Sequence, residues 1–383
     1  MTTSTHKHEK IPPATLVTAR EHLEEVVAEL RREPRLAIDT ESNGFYAYQE
    51  RVCLLQISSA REDFIVDPIA VSDLSALGEL TADPRIEKVF HAGEYDVLCL
   101  KRDYGFRFAR LFDTMIAGRL LGAKELGLAA AIRRYFGVTL AKKLQRCDWG
   151  LRPLSEEHFQ YAQLDTHYLL RLSDILKGLL REKGREADAA EACARLAEIE
   201  PVVRSFDPEG YWRLAGRHRL ADRQMAGLRE IYLLREKRAK SADRAPFRIM
   251  PEELMVRLAA DSPENAEALA KVKGMTSYLL RKFGGAILEA LARGRQAHPP
   301  AEPQRLSLRR SNQERRLFEA LRLWRKEQAQ GEAVEPVVIL DTGSLQELAS
   351  AAAAGKPDPL AGLSELKRRR YGEVLLKLLR PKT

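Results

Sequence analysis

The residues best suited to chemistry in this 383-residue chain are carboxylates placed where secondary-structure elements end. Ile38 runs into Asp39-Thr40-Glu41. Residues two apart on a strand project to one face, so Asp39 and Glu41 point together from the strand's end. Two adjacent carboxylates repel each other unless a cation lies between them, and oxygen-only ligands suit Mg²⁺ or Mn²⁺ rather than zinc. A second acid, Asp96, follows the small-residue turn His91-Ala92-Gly93 and falls in the first turn of a helix. There a carboxylate either complements the helix dipole or aims at something above the strand ends. The third element is Tyr161-Ala162-Gln163-Leu164-Asp165. Positions i and i+4 share a helix face, so the Tyr161 hydroxyl and the Asp165 carboxylate reach the same point. Each element alone has an ordinary explanation: a surface turn, N-terminal charge pairing, a solvated helix face. Their conjunction points to one shared acidic site.

The elements that must hold these groups are legible as an alternation of periods. Strand-like runs span residues 35–38, 51–58, 63–66 and 88–91, and helical patterns span 18–33, 73–80, 109–121 and 126–136. A long helix starts near Ser155, with Pro153 before it and Glu156 and Glu157 in its first turn. The expectation is an α/β domain with a mixed sheet ending near residue 200. Beyond Pro201 the strand signals vanish and two segments repeat. Residues 228–237 align with 318–327 and residues 245–250 with 335–340 at one offset, and Arg281-Lys282-Phe283-Gly284 matches Arg369-Arg370-Tyr371-Gly372 at nearly the same spacing. That order of elements, met twice, reads as two copies of one small all-α bundle rather than one continuous bundle. The expected partition is 1–205 for the α/β domain, 211–292 for the first helical copy, 293–308 for a linker and 309–383 for the second copy.

Charge is divided between these parts. Residues 1–200 carry a net −4 and residues 201–383 a net +12, within an overall +8. A basic half favours a polyanionic partner. No apolar run is long enough to span a membrane, and the first twenty residues lack the apolar core of a secretory signal, so a cytoplasmic protein is expected. Cys53, Cys99, Cys147 and Cys193 stand far apart with no CxxC pair, which argues against zinc and disulfides. Gly355-Lys356 lacks the upstream glycine and following Ser/Thr of a phosphate loop.

With these motifs in view, the chain resembles the DEDD superfamily of 3′→5′ exonucleases, in its tyrosine subgroup, and within it the ribonuclease D family. The matching stretches are LAIDTE at 36–41 with VCLLQIS at 52–58, VFHAGEYDVLCL at 89–100, and DWGLRPLSEEHFQYAQLDTHYLLRL at 148–172. Exosome-associated relatives share the DWxxRPL lead-in, and both helical repeats are similar to HRDC domains. One departure is Ser42, which follows Glu41 where the family usually has Phe. The resemblance implies a ribonuclease H-like fold and a site for two divalent ions, Mg²⁺ or Mn²⁺. Asp39 would bridge both ions, Glu41 and Asp165 would complete the one nearer the attacking water, and Asp96 would support the other. Tyr161 would orient or help deprotonate the nucleophile. The implied activity is 3′→5′ exoribonucleolytic release of nucleoside 5′-monophosphates, with tRNA precursors and other structured RNAs as substrates and no small-molecule cofactor. A 3′→5′ DNA exonuclease and a non-catalytic RNA-binding adaptor are the alternatives. The oligomeric state is left open, although a three-part chain closing on itself could work as a monomer.

Weaker candidates for substrate contact are Gln56, His91, Lys142, Lys143, Trp149 and Arg152. A buried strand residue explains Gln56 as well, a packed strand end His91, and core packing Trp149. Asp113 reads as a helix cap. In the repeats, Arg213, Arg217, Arg219, Arg223, Arg235, Lys237, Arg238 and Lys240, and then Lys367 to Arg370, are expected to track phosphates without sequence readout.

Overall fold

The structure is a computed structural model that describes residues 11–141, 143–202, 205–216, 220–301 and 311–380. Six strands form one sheet: β1 (Thr15–Val17), β2 (Arg35–Ser42), β3 (Val52–Ser58), β4 (Asp63–Val66), β5 (Glu87–Phe90) and β6 (Leu111–Asp113). Their order is β1-β4-β3-β2-β5-β6. The pairs β2–β3 and β3–β4 are antiparallel; β1–β4, β2–β5 and β5–β6 are parallel. The sheet is therefore mixed, as expected.

Period-two alternation along β2 decides where its acids go. Leu36 and Ile38 join the core formed with helices Arg20–Leu30, Ser75–Ala82 and Glu94–Tyr104. Ala37 faces the opposite layer, built from helices Thr114–Leu120, Leu128–Phe136 and Leu169–Glu182. Asp39 and Glu41 continue the Ala37 face and Thr40 continues the Ile38 face. The parallel partner β5 runs beside β2 and delivers the His91-Ala92-Gly93 turn to the same end of the sheet.

Two local expectations are corrected. The stretch read as helical over 109–121 opens with β6, and its helix begins only at Thr114. Asp113 caps it, accepting from the amides of Met115 and Ile116 at 2.8 and 2.9 Å, so three strand residues were hidden in front of an apolar helix too short to show a period. The helix expected from Ser155 onward is two helices, Glu156–His167 and Leu169–Glu182, which break at Tyr168. Ser155 sits at the cap position, but its hydroxyl pairs with His158 Nδ1 at 2.7 Å. Glu156 and Glu157 in the first turn complement the helix dipole instead.

The repeats form two helical units. The first contains Asp222–Ser241, Pro246–Ile249, Glu252–Asp261, Ala266–Lys271 and Ser277–Gln296; the second contains Asn312–Gly331, Pro336–Ile339, Thr342–Ala353 and Glu365–Leu379. Pro246 and Pro336 both open the short second helix, where a missing amide costs nothing. Each unit has its own apolar core. In the first, a Cβ on Gly294 would lie 2.7 Å from the Gly227 Cα, so glycine is what lets the two long helices touch. The last helix of this unit continues through Gln296, so the connection starts later than the expected residue 293, and its residues 302–308 lie outside the described ones.

Both units dock on the α/β domain. The first grips the loop between β2 and β3. The Ala245 amide donates to Tyr46 O at 2.9 Å, Asp243 accepts from the Tyr48 amide at 3.1 Å, and the Arg248 guanidinium lies 3.7 Å from the Tyr46 ring centroid. Tyr46 then donates to Arg146 O at 2.7 Å, joining this loop to the segment before Asp148-Trp149. The second unit docks through Asp188, which is 3% exposed. Asp188 accepts from Lys367 at 3.2 Å and from Arg370 at 2.8 Å, while Arg185 pairs with Glu332 and Ser364 donates to Glu191 at 2.7 Å. Val338 enters the apolar cluster of the α/β domain.

Candidate active site

Three carboxylates converge at the end of β2. One oxygen each from Asp39, Glu41 and Asp165 lies within 4.8 Å of the other two. Asp39 and Glu41 come from one strand face. Asp165 comes from the helix Glu156–His167, which packs across that face and is pinned there by the Ser58–Thr166 hydroxyl pair at 2.7 Å and by His167 against Asp63 at 2.7 Å. Asp96 stands beside this trio, buried in the first turn of Glu94–Tyr104. Its Oδ1 accepts from the Thr40 amide at 3.0 Å and from the Thr40 hydroxyl at 2.5 Å. Asp113 steadies the turn in front of it by accepting from the Gly93 amide at 2.7 Å.

The electrostatics are those of an uncompensated acidic site. Burial, followed by the charges of Asp96, Asp165 and Glu41, holds the Asp39 carboxyl well above its usual range. Burial and the neighbouring Asp165 and Asp96 push Glu41 up to about 9. Burial and Asp96 raise Asp165 to about 7, and burial raises Asp96 to about 6 against the Thr40 hydrogen bonds. Cations bound among carboxylates this close offset their mutual repulsion and favour the ionised forms. An all-oxygen set of this kind fits hard divalent ions. Tyr161, one helical turn before Asp165, is held above the usual phenol range, first by burial and then by Asp165, Glu41 and Asp39. Its hydroxyl is neutral at physiological pH.

The weaker candidates separate clearly. Trp149 is 1% exposed; its ring packs 5.9 Å from Tyr161 and 5.4 Å from His158, so it supports the tyrosine and offers RNA no face. The Arg152 guanidinium is spent inside the protein. It makes a bidentate pair with Asp67 at 2.6 and 2.7 Å and also donates to Cys53 O and Trp149 O. Gln56 is 0% exposed. His91 is half-buried, with Nδ1 2.8 Å from the Thr114 hydroxyl, and stands outside the carboxylate trio. Lys143 is exposed and shares the lining of a cavity with Tyr161, Leu164 and Asp165, which is where a phosphate-contacting lysine would stand. Lys142 lies outside the described residues.

The basic repeats also differ from expectation. Lys237, Arg238 and Lys240 are exposed on the first unit, whereas Arg235 is buried. Arg217 and Arg219 lie outside the described residues. In the second unit Lys367 is 7% exposed and serves the Asp188 contact rather than an open surface, whereas Arg370 joins that contact from an exposed position beside the exposed Arg368 and Arg369. Thr40 is the one member of the site that sequence reasoning passed over. The signal was a hydroxyl residue between two acids, whose side chain must point to the opposite face.

Comparison with known proteins gives this arrangement its class. A family profile described as 3′-5′ exonuclease matches residues 14–181, and one described as HRDC domain matches residues 224–291 and 314–379. The chain is therefore a 3′→5′ exonuclease-fold protein with two HRDC domains. Ribonuclease D of Gluconacetobacter diazotrophicus is 34% identical over 297 residues, which is 76% of this chain and 75% of that one. The chain belongs to the ribonuclease D family of 3′→5′ exoribonucleases. The crystal structure of Escherichia coli RNase D, an exoribonuclease involved in structured RNA processing, covers 96% of this chain and 99% of its own at 25% identity, with a TM-score of 0.66. The exosome complex component 10 homolog of Caenorhabditis elegans is 33% identical over 294 residues, but the chain spans only 33% of that protein's length.

Proposed function

We propose that this chain removes nucleotides from the 3′ end of RNA by hydrolysis, releasing nucleoside 5′-monophosphates, with Asp39, Glu41, Asp96, Tyr161 and Asp165 as its catalytic set. The observation that carries the reading is the convergence of Asp39, Glu41 and Asp165 oxygens within 4.8 Å, with Asp96 fixed alongside. Asp39, Glu41 and Asp165 would hold one Mg²⁺ or Mn²⁺ ion, and Asp39 with Asp96 a second. Two such ions supply positive charge to the attacking and departing oxygens of the phosphodiester. The remaining work belongs to the protein. Tyr161 orients the attacking water through a hydroxyl that both donates and accepts. The Trp149 ring, itself packed against His158, braces the Tyr161 ring, and Lys143, which lines the adjoining cavity and pairs with Glu157 at 3.4 Å, meets the phosphate backbone.

The nuclease unit occupies residues 1–205, and two HRDC units follow it, the first from residue 211 with its last helix running through Gln296 and the second over 309–383. The exposed basic residues of the first unit supply the grip on RNA. Precursors of tRNA are the natural substrates, handled by a monomer in the cytoplasm without a small-molecule cofactor. None of the helices among the described residues is long and apolar enough to cross a membrane.

The decisive experiment is a time course on a 3′-extended tRNA in Mg²⁺, Mn²⁺ or chelator, with products resolved to the nucleotide. Wild-type chain should release 5′-monophosphates only with metal, and Asp39→Asn and Asp165→Asn should not. Unchanged shortening by either variant overturns the site. Faster turnover of matched single-stranded DNA than RNA overturns the substrate class, and tight RNA binding without metal-dependent release overturns the catalysis.

A further inference from the structure

Gln56 presents a chemical anomaly next to this site. It lies in the middle of β3, where every residue is buried, and is itself 0% exposed. Among the described residues neither its Oε1 nor its Nε2 has a hydrogen-bond partner. A primary amide shut away from water with both polar atoms idle is rare, because each loses its hydration and gains nothing in return. Such a group calls for an explanation, and its position points to one. In the antiparallel β2–β3 ladder, Gln56 is directly opposite Asp39. Residues so paired share a sheet face with their Cβ atoms about 4.5–5.5 Å apart. That face is the one covered by the helix bearing Tyr161 and Asp165, which Ser58, two residues along the same strand, fastens through Thr166. The amide is thus sealed beneath the catalytic helix, alongside the carboxylate that would touch both ions.

We propose that Gln56 is a positioning residue for Asp39: its amide donates to the Asp39 carboxylate when that group is ionised and bound to metal. The assignment rests on the metal site proposed above. A carboxylate that bridges two cations has further lone pairs to place, and a donor behind it fixes the rotamer that faces the ions. It also replaces the role of substrate contact, since a side chain with no exposed surface cannot meet RNA. Position 56 suits this task because it lies in the middle of a fully buried strand and the amide has no competing partner among the described residues.

The test is Mn²⁺ binding to the full chain without RNA, measured by calorimetry and by the electron paramagnetic resonance signal of bound Mn²⁺. Gln56→Met keeps the length of the side chain and removes its donor. The expected result is about 10–100-fold weaker Mn²⁺ binding, with a changed Mn²⁺ spectrum and a metal-free melting temperature equal to or above that of wild type, because an idle buried amide has been removed. If Gln56→Met binds Mn²⁺ as wild type does, the proposal is overturned, whether or not the melting temperature falls. Gln56→Leu should repeat the loss of affinity; if it binds as wild type, the donor is not needed. If wild type itself binds no Mn²⁺, it is the metal site that fails and not the placement of Gln56.

Discussion

Thr40 holds Asp96 by two hydrogen bonds, one from its amide at 3.0 Å and one from its hydroxyl at 2.5 Å. The acid contributed by the helix Glu94–Tyr104 is thereby fixed to the strand that contributes Asp39 and Glu41. Replacing Thr40 with Val keeps the branched shape and the backbone bond but removes the hydroxyl. Metal-dependent turnover should fall about 10-fold or more, with a higher Mg²⁺ concentration needed for half-maximal rate. A Mg²⁺ titration of the initial rate checks this, and an unchanged midpoint would show that the hydroxyl has no part in placing Asp96.

The metal-free chain should lose stability as pH rises. Glu41 and Asp165 have folded-state values of about 9 and about 7, above the ordinary carboxylate range of about 4. Between about pH 4 and 9 the folded chain therefore holds protons that the unfolded chain has released, and stability falls with pH across that window. Divalent metal binds the deprotonated site, so its stabilising effect should grow over the same range. Melting curves in chelator and in Mg²⁺, taken at several pH values, give the comparison. Parallel curves would contradict it.

The second HRDC unit is fastened by a buried acid. Asp188 accepts from both Lys367 and Arg370, with Arg185 nearby at 3.8 Å. Asp188→Asn leaves these cations without their counter-charge in a desolvated contact, at a cost of about 3–5 kcal/mol. Urea unfolding should show the second unit separating from the rest in its own transition, and limited proteolysis should cut between the units. A single transition at the wild-type midpoint would count against this contact as the fastening.

The two HRDC units should contribute unequally to RNA binding. Replacing Lys237, Arg238 and Lys240 with Ala removes three exposed cations and should lower the slope of log binding constant against log salt by about 2 for single-stranded RNA. Lys367→Ala should leave the slope as it is, because that lysine is committed to Asp188. Slopes from fluorescence anisotropy over a salt series decide it. Equal losses in both would mean that the second unit grips RNA despite its docking.

The acidic set was legible because each member sits on a strong local pattern: an apolar strand ending in Asp39-Thr40-Glu41, a small-residue turn before Asp96, and a helical i,i+4 pair in Tyr161 and Asp165. The mixed sheet and the repeated helical unit were legible for the same reason. What escaped was set by tertiary packing. β1 and β6 have three residues each, below the length at which alternation registers. Trp149 and Arg152 looked available because their type and position suit RNA, yet their surroundings consume them: Trp149 by the Tyr161 ring, Arg152 by Asp67. The docking role of Lys367 and Arg370 could not be read from a run of basic residues, since the acid they meet is far away in the chain.

That distance has a consequence in time. Asp188 precedes Lys367 by 179 positions. On a ribosome adding about 5–20 residues per second, the cations arrive on the order of 10–40 s after the acid. Throughout that interval the nuclease sheet, complete by Asp113, can fold around its own core while Asp188 stays hydrated at an open edge. The nascent chain thus has a catalytic half before it has a closed form, and the helix Glu365–Leu379 is the one that closes it.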